Sequence, residues 1–145
     1  VTLADDVAGL ARQALKERDA GRLRVLRLLR TELQVAQASG REFREVDVVR
    51  SFARTLTAAA QEYKRLGHEA RAEGLLRDAG IVEELLPARM SREDTEAAVA
   101  AIIEESELGP RDVGAAMKQV MARYGDVVDR RLAHEIVRDR LGGQV

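Results

Sequence analysis

Apolar residues recur along this chain at the three- and four-residue spacing that lines one side of an α-helix, and they do so almost throughout. Leu3, Val7, Leu10, Ala11 and Ala14 form the first stripe, with Thr2 and Asp5 placed to cap it. Asp19-Ala20-Gly21 is expected to break that helix. Leu23, Leu26, Leu29, Leu33 and Ala36 form the second, ending at the helix-stop pair Ser39-Gly40. After a charged loop come Val49, Phe52, Ala53, Leu56, Ala60 and Tyr63, closed by Gly67. The fourth stripe is Ala72, Leu75, Leu76, Ala79, Val82 and Leu86, closed by Pro87, which cannot continue a helix interior.

Ser91 and Asp94 then read as an N-cap with an acidic first turn, ahead of Val99, Ile102 and Ile103. Leu108-Gly109-Pro110 ends this fifth helix, and Pro110 is expected at the first position of a sixth. Val113, Ala116, Met117, Val120 and Met121 make the sixth stripe, Gly125 breaks it, and Leu132, Ala133, Ile136, Val137 and Leu141 make the last. No segment alternates with the period of a strand. Short connections between helices favour antiparallel neighbours. The pattern therefore predicts an all-α protein: an N-terminal four-helix bundle over residues 1–87, then a smaller three-helix tail unit over 88–145. Gly74 and Gly80 fall inside the fourth helix, each costing about 1 kcal/mol against Ala. They are either tolerated or needed for close approach of a neighbouring backbone.

Composition narrows the function classes. The apolar content of 46% comes mainly from Ala, Leu and Val; Phe43, Phe52, Tyr63 and Tyr124 are the aromatics. So few rings argue against platforms that stack single-stranded bases. With no cysteine, disulfides, thiolate nucleophiles and Cys-type zinc sites are excluded. No apolar run has the length of a membrane span, and acidic Val1–Asp6 offers no signal-peptide pattern. A cytoplasmic protein with no membrane partner is expected. The net charge of −1 excludes a general polyanion binder, but charge is unevenly placed. Residues 12–30 carry seven basic groups against Glu17 and Asp19, whereas 87–107 carry two basic and six acidic groups.

A search for catalytic constellations finds none. No glycine-rich phosphate loop is present, and no serine has a nucleophile-elbow context. His134-Glu135 lacks the second histidine one turn on that a helical zinc site needs, and His68 lies far away in sequence. Glu83-Glu84 and Glu104-Glu105 are adjacent helix positions that do not face each other. No catalytic residue, metal ligand or cofactor is assigned. The basic cluster is the more informative feature. Arg24, Arg27 and Arg30 follow one another at i,i+3 and could neutralise phosphates; equally, such a helix covers its own polar face and pairs with nearby acids.

Three segments carry a family resemblance. Ala14-Leu15-Lys16-Glu17-Arg18-Asp19 with Leu23–Leu33 resembles A-M-K, K-D and L-x-V-L-R-L-L-x-x-E-I. Val82–Ser91 resembles L-x-x-Y-L-P-x-x-L-S, and Asp112–Met121 resembles D-M-G-x-V-M-x-x-L-M. In order and at the right spacing, they are similar to the GatB/YqeY family over essentially the whole chain. The chain departs from the family pattern at Gly67-His68-Glu69-Ala70-Arg71, at Leu75 and Asp78, and between Gly125 and Arg131.

The resemblance implies a fold like the C-terminal helical and tail domains of the B subunit of the tRNA-dependent amidotransferase, where these parts help hold tRNA. It also implies carbon–nitrogen ligase activity with glutamine as amide donor, although the residues show no site for it. The expected function is thus a tRNA-binding or aminoacyl-tRNA-handling accessory module. Alternatives are an amidotransferase component active only with partner subunits, or a protein-interaction domain. Residues 108–145 carry seven basic against five acidic groups. The expected nucleic-acid contacts are Arg111, Lys118, Arg123, Arg130 and Arg131 in the tail, with Arg27 and Arg30 as an N-terminal ridge.

Overall fold

A computed structural model of the chain describes residues 2–142. They form seven helices: α1 (Leu3–Lys16), α2 (Ala20–Ala38), α3 (Glu45–Arg65), α4 (Glu69–Glu83), α5 (Arg92–Glu105), α6 (Val113–Tyr124) and α7 (Arg130–Gly142). Helices α1–α4 pack as one compact unit and α5–α7 as another, parting between Leu86 and Pro87. No strand occurs among the described residues. No helix among them is long and apolar enough to cross a membrane.

The N-terminal unit buries one stripe from each helix. Val7, Leu26, Leu29, Val49, Leu56 and Val82 lie at its centre. Its helix ends follow sequence chemistry. Thr2 accepts the Asp5 N–H while the Asp5 carboxylate accepts the Thr2 N–H, a reciprocal capping box. Glu45 adds a link invisible to periodicity: its carboxylate accepts the Ala4 N–H at 2.7 Å, tying the start of α3 to the start of α1. Gly40 and Gly67 stop α2 and α3 at φ of +73° and +84°, a conformation costly for side chains with a Cβ.

Two expectations for this unit need correction. The break after α1 falls at Glu17–Asp19 rather than at Asp19-Ala20-Gly21. Arg18 takes the left-handed turn, and Asp19 caps α2 by accepting the Arg22 N–H, which leaves Gly21 inside that helix. Leu76 is 51% exposed instead of buried. The step of about 100° per residue carries it around from Leu75 and away from the line of Ala72, Ala79 and Val82. Neither Gly74 nor Gly80 is a close-approach site: a Cβ at Gly80 would meet nothing within 4 Å, and one at Gly74 only the Arg77 side chain at 3.7 Å.

In the C-terminal unit Val99, Ile102, Ala116, Val120, Ile136 and Val137 form the core. Ser91 accepts the Asp94 N–H at 3.0 Å and so caps α5, as its spacing predicts. Pro110 does not open α6. Gly109, Pro110, Arg111 and Asp112 make a turn in which the Asp112 N–H donates to the Gly109 carbonyl, with proline at the second position. The Asp112 carboxylate accepts the Gly109 N–H at 2.7 Å, and α6 starts only at Val113. Val128, in the loop between α6 and α7, is buried with this core although no helical stripe includes it.

Candidate nucleic-acid interface

The tail places its candidate cations on different surfaces. Arg111 is exposed in the Gly109–Asp112 turn, and Lys118 is exposed on α6. Arg123 lies about 140° around the same helix from Lys118. There its guanidinium meets the Glu105 carboxylate of α5 at 3.1 Å. Gln119, on the same flank, exchanges hydrogen bonds with Ser106. Arg123 thus closes the α5–α6 seam, and Lys118 faces elsewhere.

Arg130 and Arg131 open α7. Both are exposed, and adjacent helix positions direct them apart. They sit at the positive end of the helix, where cations are disfavoured by about 0.3–1 kcal/mol. Asp129 offsets part of this by accepting the Arg131 and Leu132 N–H groups at 3.0 and 3.2 Å. It also faces Arg89 at 3.9 Å. Arg131, His134 and Arg138 recur at i, i+3 and i+7 and line one open cavity of about 600 Å³, together with Glu135, Asp139 and Val113. Arg111, Lys118, Arg130 and Arg131 make no ion pair among the described residues.

His134 and Arg138 were not among the contacts expected from the sequence. Their spacing from Arg131 was the signal available, but only packing shows that they share its cavity. The N-terminal ridge divides likewise. Arg24 and Arg27 line a shallow groove of about 400 Å³ on α2 with Leu23 and Leu28, whereas Arg30 lies outside it. None of these three arginines pairs with a carboxylate among the described residues, whereas Arg22, two residues before Arg24, reaches Glu84 at 3.4 Å.

Of the paired carboxylates, Glu84 and Glu105 each meet an arginine. His68 sits at the N-cap of α4 without capping it, and its ring meets Tyr63 edge-on at 6.2 Å. The Arg71 guanidinium lies over the Tyr63 ring, 4.8 Å from its centroid. No group of three or more His, Cys, Asp or Glu side chains among the described residues could hold a metal ion.

A family model described as Yqey-like protein matches residues 4–141. The chain belongs to this family, the GatB/YqeY family. No curated protein matches it. The YqeY-like match runs from α1 into α7, so it takes in both compact units. The segments that resemble the family pattern fall at the α1–α2 turn with α2, at the connection from α4 to α5, and on α6. Two of the departures, at Gly67–Arg71 and Gly125–Arg131, span the turn before α4 with its first residues and the loop before α7 with its first residues.

Proposed function

We propose that this YqeY-like protein is an accessory module that holds tRNA, or an aminoacyl-tRNA within a larger complex, through phosphate contacts from its tail unit. The observation that carries this reading is the cluster at α7. Arg130 and Arg131 crowd the positive end of that helix without carboxylate partners among the described residues, and Arg131 shares an open cavity with His134 and Arg138. A phosphate in that cavity meets the Arg131 and Arg138 guanidinium groups along one side of α7. Lys118 and Arg111 supply further positive charge on the same unit. Binding through backbone and shape fits a chain poor in aromatic residues, because a folded RNA can be recognised without base stacking.

The experiment measures tRNA binding by fluorescence anisotropy at two salt concentrations. Affinity falls as salt rises, because bound counterions are released from phosphate. Replacing Arg130 and Arg131 with Ala weakens binding to all tRNA species and lowers the salt slope by about 1 per lost phosphate contact. Glu105→Gln frees the Arg123 guanidinium and raises affinity. Arg27→Ala with Arg30→Ala leaves affinity unchanged; loss confined to that variant would move the contact to α2. Absence of binding at low salt refutes the proposal.

A further inference from the structure

Helix α2 has a second organised face. One side buries Leu26, Leu29 and Leu33. The other carries Arg24, Leu28, Thr31 and Val35, whose four-three-four spacing is that of a seam between paired helices. Leu28 is 51% and Val35 62% exposed. Single exposed leucines are ordinary, but these two stand one heptad apart on one line. At Val35 the seam runs into a groove of about 550 Å³ between the end of α2 and the start of α3, where Phe43, 40% exposed, and Phe52 supply apolar surface.

Charge is split along this face. Arg24 and Arg27 flank its N-terminal half. The groove at its C-terminal half is edged by Glu32, Glu42 and Asp47, with Arg44 also present. We propose that this face binds a second copy of the chain, through antiparallel pairing of the two α2 helices about a two-fold axis beside Thr31. That arrangement sets Leu28 of each copy against Val35 of the other. It also lays the basic end of each helix over the acidic groove of the other, so one complementarity is used twice. Parallel pairing would stack arginine on arginine and carboxylate on carboxylate. A nucleic acid along the whole face would meet the three carboxylates. The seam spans about two heptads, which places the contact among small, transient interfaces with micromolar dissociation constants. The pairing is independent of the tail reading: it uses no residue of α5–α7, and its test contains no RNA.

Sedimentation velocity over a range of protein concentrations, at low and moderate salt, is the test. The expected result is a monomer–dimer equilibrium that weakens with salt. Leu28→Glu with Val35→Glu raises the dissociation constant at least about tenfold while helicity is kept, because both positions are exposed. Arg24→Glu with Arg27→Glu also dissociates the dimer, and adding Glu42→Arg with Asp47→Arg restores it. Since the chain has no cysteine, orientation is read directly. An oxidised mixture of Leu28→Cys and Val35→Cys chains cross-links as a heterodimer, whereas either alone does not, because like positions lie about 10 Å apart along an antiparallel pair. A chain that stays monomeric at millimolar concentration overturns the proposal. So does a dimer that ignores the Leu28 and Val35 substitutions.

Discussion

Replacing Gly80 with Ala should stabilise the α1–α4 unit, and the structure fixes both sign and size. Gly80 lies inside α4, where glycine costs about 1 kcal/mol against alanine through backbone entropy. The gain is realised only if the new methyl group has room, and at Gly80 it meets nothing within 4 Å. Gly74 offers almost the same opportunity, with the flexible end of Arg77 at 3.7 Å as its nearest neighbour. The two positions are about 9 Å apart along the helix axis, so their effects should add to about 2 kcal/mol. For a unit of this size each kcal/mol raises the melting temperature by about 4–8 °C. Differential scanning calorimetry on both single variants and the double variant measures this. Gly67→Ala is the matched control of opposite sign. At φ of +84° the same methyl group is strained and costs about 1 kcal/mol or more. A fall in melting temperature for Gly80→Ala would show that a neighbouring backbone packs against α4 after all, refuting the reasoning.

Three further outcomes are expected. Ser91→Ala removes the oxygen that accepts the Asp94 N–H and should cost the α5–α7 unit about 1 kcal/mol by urea unfolding. Ile102→Ala, at a position 1% exposed, should cost that unit about 2–5 kcal/mol. If residues 1–87 and 88–145 fold separately, calorimetry will show the α1–α4 transition unmoved. Acid should also weaken the α1–α4 unit. Bonds from the Thr2 backbone and side chain hold the Asp5 carboxyl below its ordinary 3.8, and the Arg65 guanidinium holds Glu62 below 4.5. Both groups bind protons more readily unfolded, so their stabilisation is complete above those ordinary values and is lost as pH falls through the lower folded ones. Asp5→Asn and Glu62→Gln should each flatten the dependence of the urea midpoint on pH across the carboxylate range.

The sequence by itself determined the seven helices, because their apolar stripes repeat at one period and their stops are local chemistry. Ser39-Gly40, Gly67 and the Ser91 cap act within a few residues of themselves, so spacing was enough to find them. Where several local solutions competed, it was not. Pro110 suits both a helix start and the second position of a turn, and the Asp112 carboxylate accepting the Gly109 N–H selects the turn. Arg18 takes a left-handed conformation that residue type alone would assign to Gly21. Only tertiary structure decided which cations are engaged. Arg123 and Lys118 look equivalent in sequence, yet packing of α5 on α6 gives Arg123 a carboxylate and leaves Lys118 without one. Packing likewise placed His134 and Arg138 in the cavity of Arg131, and carried Val128 from a loop into the core. The physical reason is range. Helix formation and capping are settled over three or four neighbours, whereas ion pairing, burial and shared cavities depend on residues brought together from different helices.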